Sequence, residues 1–177
     1  MSSIITGRGD SGETDLLFGK RAAKSSLRMG VLGSIDEFNA ALGLARAAGA
    51  NDEIIALIDD LQEKLIGLMG ELACVPEDVE RYAERFKCSL TLDYVTHIEE
   101  TARGFEKRGV RFTGWARPGA EGSMAKAGLD FARAIARRAE RQVWILHESG
   151  EPVSEPIRLF FNRVSDLLWI LARAEGN

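Results

Sequence analysis

The chain reads as an all-α protein, a five-helix bundle, and three observations carry that expectation. Apolar residues recur at three- and four-residue steps in five long stretches. Glycine or proline punctuates the short gaps between those stretches. The 177 residues fit one domain, and no repeat, low-complexity tract or interdomain linker interrupts them.

The first helix is expected over residues 26–48, capped by Ser25 or Ser26, with Leu27, Val31, Ile35, Phe38 and Leu42 along its apolar stripe. Gly49 can end it. A second runs over 51–73, opened by Asn51 or Asp52, with Ile55, Ile58, Leu61, Leu65, Leu68 and Leu72 inward; Pro76 forces a break. A third spans 91–108, with Tyr94, Ile98 and Phe105 on one side and Gly109 after it. The alternation Leu90, Leu92, Tyr94 also fits a strand, and periodicity alone leaves that alternative open. Residues 109–122 form a loop with Trp115, Pro118, Gly119 and Gly122. The fourth helix covers 123–148 and stops at Gly150 and Pro152. The fifth covers 153–174, carrying Ile157, Phe160, Phe161, Val164, Leu167, Leu168 and Leu171. The organisation is an N-terminal arm, 1–25, polar and irregular, followed by one helical domain, 26–177.

Composition narrows the function classes. A net charge of −4 leaves no general basic footprint for nucleic acid, so any anion site is a local concentration of Arg and Lys. No stretch of 18 apolar residues offers a membrane span, and the start of the chain lacks the apolar core of a signal peptide; a cytoplasmic location is the expectation. Cys74 and Cys88 lack CxxC spacing and read as free thiols. His97 and His147 lie far apart, and no metal site is expected.

Three places can carry chemistry. Arg133, Arg137 and Arg141 repeat every four residues, which puts three guanidinium groups on one helix face. Like charges so placed repel by roughly 0.2–0.5 kcal/mol per pair, and arginine cannot shed its proton. The stripe is either a solvated face or the seat of an anionic partner such as phosphate. The arm is the second place. Gly7, Gly9, Gly12 and Gly19 let backbone N–H groups converge on phosphate oxygens; Thr6, Ser11 and Thr14 add hydroxyls, and Arg8, Lys20 and Lys24 add charge. It is not a Walker loop, and a flexible arm explains the composition equally well. The third is a set of polar residues on apolar helices. Asp36, with Glu37 and Asn39, flanks the first stripe, either as a carboxylate that needs an arginine partner or as a solvent-facing acid; Asn162 and Asp166 interrupt the last helix and are expected to have hydrogen-bond partners, as clamps between helices or as ligand contacts.

Taken in order, Thr-Gly-Arg-Gly-Asp-Ser-Gly-Glu-Thr at 6–14, Gly-Ser-Ile-Asp-Glu-Phe-Asn at 33–39, Arg-Arg-Ala-Glu-Arg at 137–141 and Asn-Arg-Val-Ser-Asp at 162–166 resemble the PduO-type cob(I)alamin adenosyltransferases. The resemblance spans nearly the whole chain. Gly7 and Arg8 depart from the family's Thr-Lys-Thr-Gly-Asp start. It implies a trimer of five-helix bundles with ATP and the corrinoid between subunits. It implies ATP contacts from Thr6, Gly7, Arg8, Gly9, Thr14, Asp15, Lys24, Arg137, Arg138, Ala139, Glu140, Arg141 and Asn162, which makes residues 1–25 a nucleotide-binding arm. It pairs Arg133 with Asp36, across a subunit interface, and gives Arg133, Asp36 and Arg137 the catalytic roles. Trp115, three residues before Pro118, takes the place of the aromatic residue that helps to displace the lower axial ligand of cobalt; Phe112 is the alternative. The implied reaction moves the 5′-deoxyadenosyl group of ATP to cob(I)alamin with Mg²⁺ assisting. A corrinoid reductase or B12-dependent enzyme is the implied protein partner. A bundle that binds ATP without catalysis is the competing reading, and a purely structural bundle is the other.

Overall fold

The computed structural model describes residues 4–86, 89–112 and 114–176; Cys88 lies outside them. Five long helices form the bundle: α1 (Leu27–Ala47), α2 (Asp52–Leu72), α4 (Leu92–Lys107), α5 (Met124–Glu148) and α6 (Glu155–Ala174). A seven-residue helix, α3 (Val79–Arg85), lies between α2 and α4 and was not anticipated by the periodicity. Its Tyr82 is buried and donates to the Gly67 carbonyl, 3.0 Å away. Gly70 makes room for that ring, since a Cβ there would stand 2.1 Å from the Tyr82 hydroxyl. No helix among the described residues is long and apolar enough to cross a membrane.

Side-chain caps set the helix starts. Ser26, Asn51, Thr91 and Ser123 each accept from the backbone N–H three residues on, which satisfies one of the orphan donors of a first turn. Thr91 and the turn that follows it place Leu92 and Tyr94 in helix, so the strand alternative does not hold. Gly49 and Gly109 terminate α1 and α4 in the left-handed region, at φ +83° and +111°. Leu27, expected inside, is 41% exposed because it stands at the first residue of α1, before the stripe meets its neighbours.

The core is continuous from Val31 in α1 to Ala172 in α6. α5 is its centre and packs on α1 and α6. Facing pairs Glu37 with Arg138 and Ala45 with Gly128 make α1 and α5 antiparallel, and Glu140 with Asn162 and Asp130 with Arg173 do the same for α5 and α6. The α1–α5 approach is close. A Cβ on Gly128 would lie 2.8 Å from the Ala45 Cα. Around Phe38, the rings of Phe160 and Phe161 pack edge to face, with centroids 5.2 Å apart.

The arm is not wholly irregular. β1 (Glu13–Asp15) pairs antiparallel with β2 (Arg21–Ala23), and Phe18 turns the hairpin at φ +57°. Leu17 N–H bonds the Ala73 carbonyl at 3.0 Å, and Arg81 of α3 lies over the Phe18 ring, 4.2 Å from its centroid. The hairpin is thereby seated on the C-terminal end of α2. Arg28, almost fully buried, holds the same end. It donates to the carbonyls of Leu72 and Cys74 and to the Glu151 carboxylate, at 2.5–3.0 Å.

Gly128→Val should destabilise the bundle by about 1–3 kcal/mol or more, because the added atoms meet α1 backbone rather than a flexible side-chain end. Urea denaturation followed by far-ultraviolet circular dichroism measures it; an unchanged midpoint would mean that α1 and α5 can part at no cost.

Candidate functional site

α5 puts its small residues inward. Ala132, Ala136, Ala139 and Val143 are buried against α1 and α6, so the positions immediately after Ala132 and Ala136 turn toward the edge of the interface. Arg133 is half-buried there, whereas Arg137 and Arg141 are exposed. The neighbours are tied down. Arg138 forms an ion pair with Glu37 of α1, and Glu140 accepts from the Asn162 amide at 3.3 Å. The Arg141 guanidinium donates to the Arg137 carbonyl at 2.9 Å. Among the described residues no carboxylate pairs with Arg137 or Arg141, so two fixed positive charges face outward from a rigid helix without compensation.

Arg133 is different. Its Nε lies 3.6 Å from the Asp130 carboxylate, one turn back, and has no hydrogen-bond acceptor among the described residues. The ion pair that Arg133 makes within the chain is therefore with Asp130. Asp36 is exposed on α1 and does not meet it in the same subunit. Asn162 and Asp166 are also exposed, since both lie on the outer face of α6; the desolvation that would force partners on them does not arise. Asn162 nevertheless bonds Glu140 and accepts from Arg163, which in turn pairs with Glu99 of α4. The Arg163 guanidinium holds the Glu99 carboxyl below its ordinary range.

The arm forms a glycine-turned cradle in which Arg8, Lys20, Arg21 and Lys24 stand among Asp10, Glu13 and Asp15. Gly7 and Gly12 take positive φ, +66° and +84°, in two successive turns closed by Asp10 N–H to Gly7 O and Gly12 N–H to Gly9 O. Thr6 accepts from the Arg8 N–H at 3.4 Å. Lys24 folds back over the turn. A Cβ on Gly9 would stand 2.8 Å from its amine, so the glycine is what admits that charge against the backbone. Arg8 pairs with Asp15 at 3.3 Å, and Arg21 reaches Asp15 and Glu13. Thr14 lies in β1 with Asp15.

The loop before α5 carries the aromatic candidates at the other end of the bundle. Trp115 is 92% exposed, and Phe112 rests on Trp169 of α6 with centroids 5.7 Å apart. A helical scaffold, a glycine-turned hairpin and two outward arginines without a carboxylate partner among the described residues define the class of this protein as a helical bundle with an N-terminal hairpin.

Comparison with known proteins specifies the class. The family model for cobalamin adenosyltransferase matches residues 4–175. A corrinoid adenosyltransferase of Mycobacterium leprae is 33% identical over 175 residues, covering 98% of this chain and 91% of that protein. One from Bacillus subtilis is 34% identical over 170 residues, covering 96% and 84%. The PduO corrinoid adenosyltransferase of Salmonella typhimurium is 32% identical over 178 residues, and the chain spans 50% of its length. Among solved structures, a variant PduO-type ATP:corrinoid adenosyltransferase from Lactobacillus reuteri, complexed with cobalamin and ATP, superposes with a TM-score of 0.82 at 26% identity, covering 97% of this chain and 92% of that one. The chain belongs to the cobalamin adenosyltransferase family.

Sequence patterns missed the buried charges, among them Arg28 and Asp130. Each sits one step off an apolar stripe, where periodicity marks an edge and does not say which edge is covered. The exposed arginines give a test of purpose. Arg137→Ala should leave folding stability within about 0.5 kcal/mol, as for surface substitutions that break no contact. Thermal denaturation checks it, and a large loss would give Arg137 a structural role instead.

Proposed function

We propose that the protein transfers the 5′-deoxyadenosyl group of ATP to the cobalt of cob(I)alamin, giving adenosylcobalamin and triphosphate, with both substrates held at the subunit interfaces of a homotrimer. The observation that carries the reading is the pair Arg137 and Arg141, rigid, exposed and without a carboxylate partner, in a chain of net charge −4. Such a site suits the leaving triphosphate. Family membership supports the chemistry.

In the reaction the Co(I) electron pair attacks C5′ of ATP. The cobalt–carbon bond forms as the C5′–oxygen bond breaks, and the bonding pair departs on triphosphate. The nucleophile belongs to the substrate, so the chain has only to position and neutralise. Arg137, Arg138 and Arg141 with Lys24 and Arg8 answer the phosphate charge. Thr6, Gly7, Gly9, Thr14 and Asp15 shape the cradle, and Ala139, Glu140 and Asn162 complete the nucleotide site. Arg133, whose Nε lacks an acceptor within the chain, pairs with Asp36 of a neighbouring subunit and fixes the interface. Trp115, or Phe112, covers the lower face of the corrinoid and keeps water from cobalt. Among the described residues no cluster of acids, histidines and cysteines could hold a metal. Mg²⁺ therefore fits as an ion carried on the triphosphate with at most a carboxylate or two from the chain, where it supplies further charge neutralisation. A corrinoid reductase of the cytoplasm supplies the electron that makes Co(I).

Incubating the protein with MgATP and chemically reduced cobalamin should convert the corrinoid spectrum to that of the adenosyl form and release inorganic triphosphate. ATP binding without the adenosyl product would support the non-catalytic bundle instead.

A further inference from the structure

Asp130 is the one acidic side chain of α5 that is buried, at 5% exposure, and two arginines converge on it. Arg173 of α6 donates to its Oδ1 at 2.7 Å, and Arg133 approaches the same oxygen at 3.6 Å. Arg173 also donates to the Trp169 carbonyl at 3.2 Å and lies over that indole, 4.6 Å from its centroid. On Trp169 rests Phe112. Beside the pair, Asp130, Arg173 and Lys126 floor a cavity of about 190 Å³ roofed by loop residues Ala116, Arg117 and Gly119 to Glu121. Lys126 forms an ion pair with Glu121 of that loop. One carboxylate thus sits between the arginine of the subunit edge and the stack that supports the aromatic loop.

We propose that Asp130 is a positioning residue which, through Arg173 and Trp169, sets the aromatic loop for the corrinoid while restraining Arg133. Buried opposite charges hold one another in place, and removing the acid takes away the one carboxylate that both guanidinium groups share. Arg133 then loses its intrachain restraint, and Arg173 shifts from its position over the Trp169 indole. The loop loses its floor, whereas the stripe farther along α5 keeps its own contacts with α1.

Asp130→Asn is the test, with Arg173→Gln as the second variant. Hydrogen exchange of peptides spanning residues 114–122 should quicken in both, and Asp130→Asn added to Arg173→Gln should change it no further. That measurement needs no turnover. Given the transferase reading, on which the kinetic arm rests, the KM for corrinoid should rise about tenfold while the Kd for ATP stays within about threefold. Exchange in the loop equal to wild type in both variants would overturn the proposal. So would a general loss of stability that moves corrinoid and ATP affinities together. A wild-type protein that makes no adenosyl product would sink the transferase reading and leave the exchange result to decide Asp130.

Discussion

The contact between α1 and α5 governs the rest of the molecule. At Gly128 the α5 backbone comes within reach of Ala45, and a side chain of any size there would collide with it. Small residues continue along the seam as Ala132, Ala136 and Ala139. Close approach fixes the rotation of α5 about its own axis, because turning the helix would drive larger side chains into α1. Once that rotation is set, the arginines that follow the seam have no choice of direction. Arg137 and Arg141 are presented outward, and Arg133 is held at the edge.

Charge placement follows from the same geometry. Arg138 finds Glu37, and Glu140 finds Asn162, each from a helix that the seam has already positioned. Exposed pairs of this kind contribute about 0–1 kcal/mol each. They orient the segment more than they stabilise it. The buried charges are another matter. Arg28 ties α1 to the end of α2 and to Glu151, and Asp130 ties α5 to α6. Each closes one end of the bundle, one beneath the hairpin and the other beneath the aromatic loop. Two regions with sequence of low regularity thereby acquire a defined seat.

The long helices were legible because their stripes are long and their caps conventional: Ser26, Asn51 and Ser123 do what their residue types favour. The hairpin was not, since three-residue strands are too short to show a period and Leu17 is held by a carbonyl from elsewhere in the chain. α3 escaped for the same reason: its one buried side chain, Tyr82, fits over Gly70 of α2 and donates to the Gly67 carbonyl. At the site, the arginine run and the glycine-rich arm were visible as types in a pattern. Which arginines keep their charge uncompensated was not, because that depends on where Glu37 and Asp130 fall in space. The expected partner of Arg133, Asp36, shows the limit. The resemblance pairs the two, whereas within one chain Arg133 lies beside Asp130, and a pairing proposed between two copies cannot be read from one copy alone.

The account rests on the outward arginines and the glycine-turned cradle being a phosphate site and not a solvated face. Calorimetric titration with ATP, at one fixed salt concentration, compares the wild type with Arg137→Ala and Lys24→Ala. The account predicts ATP affinity at least about tenfold weaker in each variant, the scale of one lost charge-assisted contact of roughly 1.5–3 kcal/mol, with the fold intact. Both variants binding ATP as the wild type does would contradict it.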